Sequence, residues 1–176
     1  MIQQELVRQS SLVTTIWKPL NSYEGINPIW QVYGVCFTRN REVVIIRDHL
    51  QNGYFTPWHI PGGTPKEGES PEQTLHRGVN EQADISISNL KLLGALEVFF
   101  PNNPNIEKGD HYYQLRYFAL IEEIREQYVD PHYKKMGVRK LIPAVNFTEY
   151  VEWGDIGAEI IRAALIEFDK ILPHAN

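Results

Sequence analysis

Between Trp58 and Ile85 the sequence reads WHIPGGTPKEGESPEQTLHRGVNEQADI, and this stretch holds the residues best spaced for chemistry. Gly62 and Gly63 form a turn whose bare backbone lets a phosphate come close, which makes them candidate substrate contacts. Thr74, Gly78, Glu81 and Gln82 fall on the flank of the following helix that faces that turn. A hard dication prefers oxygen ligands, so the Glu81 carboxylate and the Gln82 amide oxygen are the candidate metal ligands. His59, just before the glycines, faces either the substrate or the sheet.

The helix that must position these groups is legible in its ends. Ser70 stands at an N-cap position, Pro71 at the first helical residue, and Gln73 completes a capping box. Leu75 and Val79, four apart, give the helix one apolar face to lay on a sheet.

In spacing, Gly63, Glu69, Arg77, Val79, Glu81 and Ile85 resemble the signature of the Nudix hydrolases, G-x5-E-x7-R-E-U-x-E-E-x-G-U with U aliphatic. The chain departs from that pattern at Gly78 and Gln82, where the family has Glu, and at Asp84, where it has Gly. The resemblance implies an α/β sandwich, a mixed sheet with the motif helix and a C-terminal helix packed on it. It implies Mg2+ or Mn2+ on the helix carboxylates and cleavage of nucleoside diphosphate derivatives. It also implies that Glu69 and Arg77 pair and hold the junction of loop and helix. Asp84 is the mildest departure, because Asp tolerates the left-handed conformation that ends a helix.

Positions 78, 81 and 82 share one face, where three carboxylates would repel without a cation between them. In this chain the nominal charge there falls from −3 to −1. Three readings follow. The first is a metal-dependent phosphoanhydride hydrolase with a weakened site centred on Glu81, whose turnover Gly78→Glu with Gln82→Glu should raise. The second is a catalytically inactive Nudix-fold module that binds a nucleotide or partner. The third is a nucleotide-sugar hydrolase of the GDP-mannose mannosyl hydrolase type. Family members often place a general base after the motif, which points to Glu107, Asp110 and His111 in the stretch NNPNIEKGDH.

The remaining chain must supply the sheet. Leu12 to Leu20, Gln31 to Thr38, Glu42 to Arg47, Ile87 to Phe100 and His111 to Ile121 read as strands, with Arg39-Asn40-Arg41 joining a hairpin. Pro143 excludes the stretch after Leu141 from a central strand. Asp155 reads as the N-cap of a closing helix to about Leu172, with Ile160, Ile161, Ala164, Leu165, Phe168 and Ile171 as its stripe. No repeat or linker divides residues 1–176, so one domain is expected.

The net charge of −5 argues against a nucleic-acid binder, and no apolar run is long enough to span a membrane. Cys36 lies in an apolar run and reads as a buried, inert thiol. Lys134, Lys135, Arg139 and Lys140 read as a solvated basic loop. A cytoplasmic protein with a small nucleotide-type ligand is expected, and the resemblance makes a homodimer a natural assembly.

Overall fold

The computed structural model describes residues 1–8, 11–50, 52–127 and 137–172. Its strands are β1 (Ile2–Arg8), β2 (Ser11–Pro19), β3 (Ile29–Phe37), β4 (Glu42–Asp48), β5 (Gly62–Gly63), β6 (Ile85–Phe99), β7 (His111–Ile124) and β8 (Gly137–Pro143). The helices are α1 (Pro71–Ala83), the short α2 (Phe147–Tyr150) and α3 (Gly154–Ile171). They build an eight-stranded mixed sheet in the order β1-β2-β6-β7-β3-β4-β8, with β5 paired to β3. The central pair β3–β7 is parallel, and its neighbours are antiparallel. This is the expected α/β sandwich.

Both faces of the centre are covered, so its strands are apolar without alternation. Alternate residues of β3, β4 and β7 divide between two cores. Val32, Cys36, Val44, Ile46, Leu115 and Tyr117 meet Leu75, Val79 and Ala83 of α1. Val35, Phe37, Val43, Ile45 and Phe118 meet Ile156, Ile160, Ala164 and Phe168 of α3. Cys36 is fully buried, and burial pushes its thiol pKa up to about 12, which keeps it protonated.

The sheet parts beside β3, and this opening places the motif. β3 pairs with β4 at Phe37 and Val43, but at Val32 and Tyr33 its partners are Gly63 and Gly62. The chain from 59 to 63 lies in the gap: His59 exchanges both backbone hydrogen bonds with Ile46, and Gly34 N–H donates to the Pro61 carbonyl. A Cβ on Gly62 would lie 2.1 Å from the Val32 carbonyl oxygen, so only glycine fits there. The chain enters the motif through a single bridge at His59 followed by two-residue β5.

Other departures lie at the edges. Ile2–Arg8 forms an edge strand on β2, which its polar residues concealed. β8 pairs with β4 at the opposite side and ends at Pro143, where the missing N–H does no harm. Arg139 and Lys140 lie on β8, while Lys134 and Lys135 are outside the described residues. α3 begins two residues earlier than expected, with Trp153 at the cap and Asp155 in the first turn, where its charge suits the helix dipole.

Two stability outcomes follow. The Phe168 ring lies 5.1 Å from Phe37 and is almost fully buried, so Phe168→Ala should cost about 3–5 kcal/mol in urea denaturation. A Cβ on Gly78 would lie 2.4 Å from both the carbonyl carbon and the oxygen of Gly62. Gly78→Ala should therefore destabilise by about 1–3 kcal/mol through overpacking, although alanine is the better helix former. Gly78→Glu meets the same obstruction, so adding that carboxylate damages the fold and cannot simply raise turnover.

Candidate functional site

Helix α1 starts as its sequence dictates. Gln73 N–H donates to Ser70 Oγ at 3.2 Å, and Ser70 N–H donates to Gln73 Oε1 at 2.9 Å. At its other end Asp84 is left-handed, with φ of 49°. Arg139, arriving from β8, donates to the Ala83 carbonyl at 2.6 Å and to the Arg125 carbonyl at 3.0 Å. It thus satisfies an acceptor that a helix C-terminus leaves open.

Arg77 ties the loop to the helix. Its Nε and Nη2 donate to the two Glu69 oxygens, each at 2.7 Å, and Nη2 also reaches the Thr64 carbonyl at 2.8 Å. Glu69 accepts further bonds from Lys66 N–H and the Thr74 hydroxyl. The Arg77 guanidinium, with these added donors, holds the Glu69 carboxyl down at about pKa 2.

The same arginine also takes Glu81, whose Oε2 accepts from Nη1 at 3.1 Å while the side chain stays 53% exposed. Gln82 is occupied too: its Oε1 accepts from Gly62 N–H at 2.9 Å. Gly78 contributes no side chain, and its Cα packs on the β5 backbone. Among the described residues no three His, Cys, Asp or Glu side chains are grouped so as to hold a metal ion. A divalent ion needs several oxygen ligands with net negative charge. One carboxylate already paired with arginine and one amide already accepting a bond do not fit that need.

The groups that do converge line a cleft of about 550 Å3 on the α3 face of the sheet. Gln31 and Tyr33 from β3 and Gln114 and Arg116 from β7 form its floor, and Trp58, His59 and Trp153 stand around it. Gln82 is the α1 side chain that reaches it. Of the expected substrate contacts, His59 faces this cleft: its Nε2 lies 3.6 Å from Asp48 Oδ2 and its Nδ1 3.1 Å from the Ile60 carbonyl oxygen. Gly62 is buried with its N–H taken, whereas Gly63 is partly exposed.

The three residues expected to supply a base lie elsewhere. Glu107 is exposed on its loop, and Asp110 Oδ1 accepts from Asn103 N–H at 2.9 Å. His111 stacks on Phe99 and meets Glu97 at 2.9 Å. Tyr112 lines the cleft, so alternation along β7 sends His111 and Tyr113 to the other face. Glu97 there is buried, which opposes its ionisation, yet bonds from Lys18, Tyr113 and His111 prevail and hold it at about pKa 2.

Sequence reasoning missed Asp48, Gln31, Gln114, Arg116 and Glu152. A signal existed for two of them: in HYYQLRYFAL, Gln114 and Arg116 are two apart, which puts two polar side chains on one covered face.

Glu69 has its pKa lowered by folding, so its contribution to stability is present above about pH 4.5 and fades as pH falls toward 2. In urea denaturation across that window, the stability gap between the wild type and Glu69→Gln should shrink with falling pH. A gap that is constant with pH would exclude this coupling.

Among known proteins, residues 29–145 match the model of the NUDIX domain. A relative named 8-oxo-dGTP diphosphatase, from Proteus vulgaris, is 28% identical over 89 residues, which cover 51% of this chain and 72% of that protein. The crystal structure of a mutant of the Bacillus subtilis pyrophosphohydrolase BsRppH is similar with a TM-score of 0.62 at 16% identity, covering 96% of this chain and 97% of that one. A crystal structure of UDP-X diphosphatase gives 0.56 at 12% identity, covering 80% and 64%. Both structures show a shared fold, and the domain match spans most of the sheet together with α1. The chain belongs to the Nudix family.

Proposed function

We propose that this protein binds a nucleoside diphosphate derivative in the cleft between Trp58 and Trp153, and that α1 shapes the cleft without holding a divalent ion. The observation that carries the reading is the donor set on α1: Gly78 has no ligand, Gln82 is bonded to Gly62 N–H, and Glu81 is paired with Arg77. The cleft offers what a nucleotide needs. Trp58 and Trp153 give it aromatic walls, each with an arginine over one ring, and the carboxamides of Gln31 and Gln114 both donate and accept. The relative named 8-oxo-dGTP diphosphatase supports a nucleotide-type ligand. This reading takes the chain as a single cytoplasmic domain that binds no nucleic acid; light scattering on the purified protein distinguishes monomer from homodimer.

A second reading keeps the family's chemistry. Glu81 is half exposed, and a substrate polyphosphate that brings Mg2+ or Mn2+ could compete with Arg77 for it. Glu107, Asp110 or His111 would then have to reach the cleft by rearrangement, since none lines it.

One experiment separates the two. ADP-ribose, nucleotide sugars, dinucleoside polyphosphates and NTPs are tested for turnover at millimolar Mg2+ or Mn2+, and for a shift in melting temperature in EDTA. The binding reading expects at least one to raise the melting temperature without metal, by about 2.7 kcal/mol of added stability at a hundred times Kd, with no product. Metal-dependent product formation that Glu81→Gln abolishes would overturn it in favour of the hydrolase.

A further inference from the structure

Apart from Glu152, which precedes Trp153 on the lining, charge in the cleft is segregated. On the β4 side stand Asp48, paired with His59, and Gln82. On the side of β1 and β7 stand three cations, Arg8, Lys108 and Arg116. None of the three has an ion-pair partner among the described residues.

Arg116 is the most telling of them. It is only 3% exposed, yet its guanidinium meets no carboxylate. Nη2 donates to Gln114 Oε1 at 2.8 Å, Nη1 to the Leu115 carbonyl at 3.2 Å, and Nε has no partner. The Tyr33 and Trp153 rings flank it at 4.6 and 5.3 Å. Burial pulls its pKa down to about 10, the mark of a charge held without its counter-charge. Its orientation is nevertheless set in advance, because Gln114 Nε2 donates in turn to Gln31 Oε1 at 2.6 Å. Lys108 sits over the Tyr112 ring at 4.7 Å and the Trp30 ring at 5.7 Å. Burial, and then the nearby Arg8 charge, lower its pKa, so the two cations are close enough to repel.

We propose that Arg8, Lys108 and Arg116 form the phosphate end of the cleft. The phosphates of the ligand lie toward β1 and β7, away from α1, and its base lies toward Trp58 and His59. The assignment rests on the reading that the ligand is a nucleoside diphosphate derivative. A diphosphate needs neutralising charge wherever it binds, and three fixed side-chain cations supply it where the motif helix does not. Arg116 offers a planar fork held by Gln114, and Lys108 a compact point charge seated over the Tyr112 and Trp30 rings.

The test measures binding by calorimetry in EDTA, with inorganic pyrophosphate and the four ribonucleoside diphosphates as probes. The proteins are the wild type, Lys108→Gln, Arg8→Gln and Arg116→Lys, the last checked for folding by circular dichroism. Lys108 and Arg8 are not buried, so their variants keep the proposal testable if Arg116→Lys unfolds. The expected result is metal-free binding of a nucleoside diphosphate that weakens about tenfold or more in Lys108→Gln and Arg8→Gln, and weakens with added salt. Wild-type affinity in both variants overturns the assignment while the nucleotide reading stands; binding that appears only when Mg2+ replaces EDTA overturns both. If pyrophosphate binds through Lys108 but no nucleotide binds, the phosphate end stands and the nucleotide reading falls. If no probe binds the wild type, both fall.

Discussion

The closeness of α1 to the split in the sheet is the constraint on which the site depends. Gly78 rests against the peptide between Gly62 and Gly63, and Gly62 in turn rests against Val32. Two residues without side chains let helix, wedge and sheet stack at backbone distance, so no side chain can be added at position 78 without moving the helix. The Gln82 amide then fits where it can accept the Gly62 N–H. These two departures from the family pattern are thus one packing solution, and the change in charge accompanies it.

The electrostatic consequence reaches across the molecule. In the resemblance, anionic oxygens on the helix await a cation that then meets anionic phosphates. In this chain the one guanidinium of Arg77 is shared by Glu69 and Glu81, so neither carboxylate of this junction is left without a cation. Among the described residues, cleft-lining cations without an ion-pair partner stand instead on β1, on the loop before β7, and within β7. Fixed cations attract phosphate at longer range than neutral amides do, and they lose strength as salt rises. The protein keeps the family's fold, with a motif helix that carries fewer carboxylates than the signature.

Much of this architecture was legible in the sequence. The capping box at Ser70, the Leu75 and Val79 face, the left-handed Asp84 and the closing helix all rest on local chemistry that a single chain displays. The Glu69–Arg77 pair was legible only through the family's spacing. Arg139 was not legible: its role at the Ala83 carbonyl depends on β8 arriving beside α1 from more than fifty residues away. The cleft was hidden for the same reason. Gln31 and Gln114 meet only because β3 and β7 pair in parallel, and His111 leaves the site only because alternation along β7 gives that face to Tyr112. Short-range patterns specify elements, while the juxtaposition of distant polar side chains follows from topology.

The parallel pairing of β3 with β7 has a consequence for how the cleft can fail. Its floor joins residues eighty-three positions apart, and the whole motif lies on the excursion between them. Closing so long an excursion costs chain entropy that is recovered only when both cores are in place. No local segment can therefore assemble or dismantle the floor alone, and cleft competence should rise and fall with the cooperative fold itself.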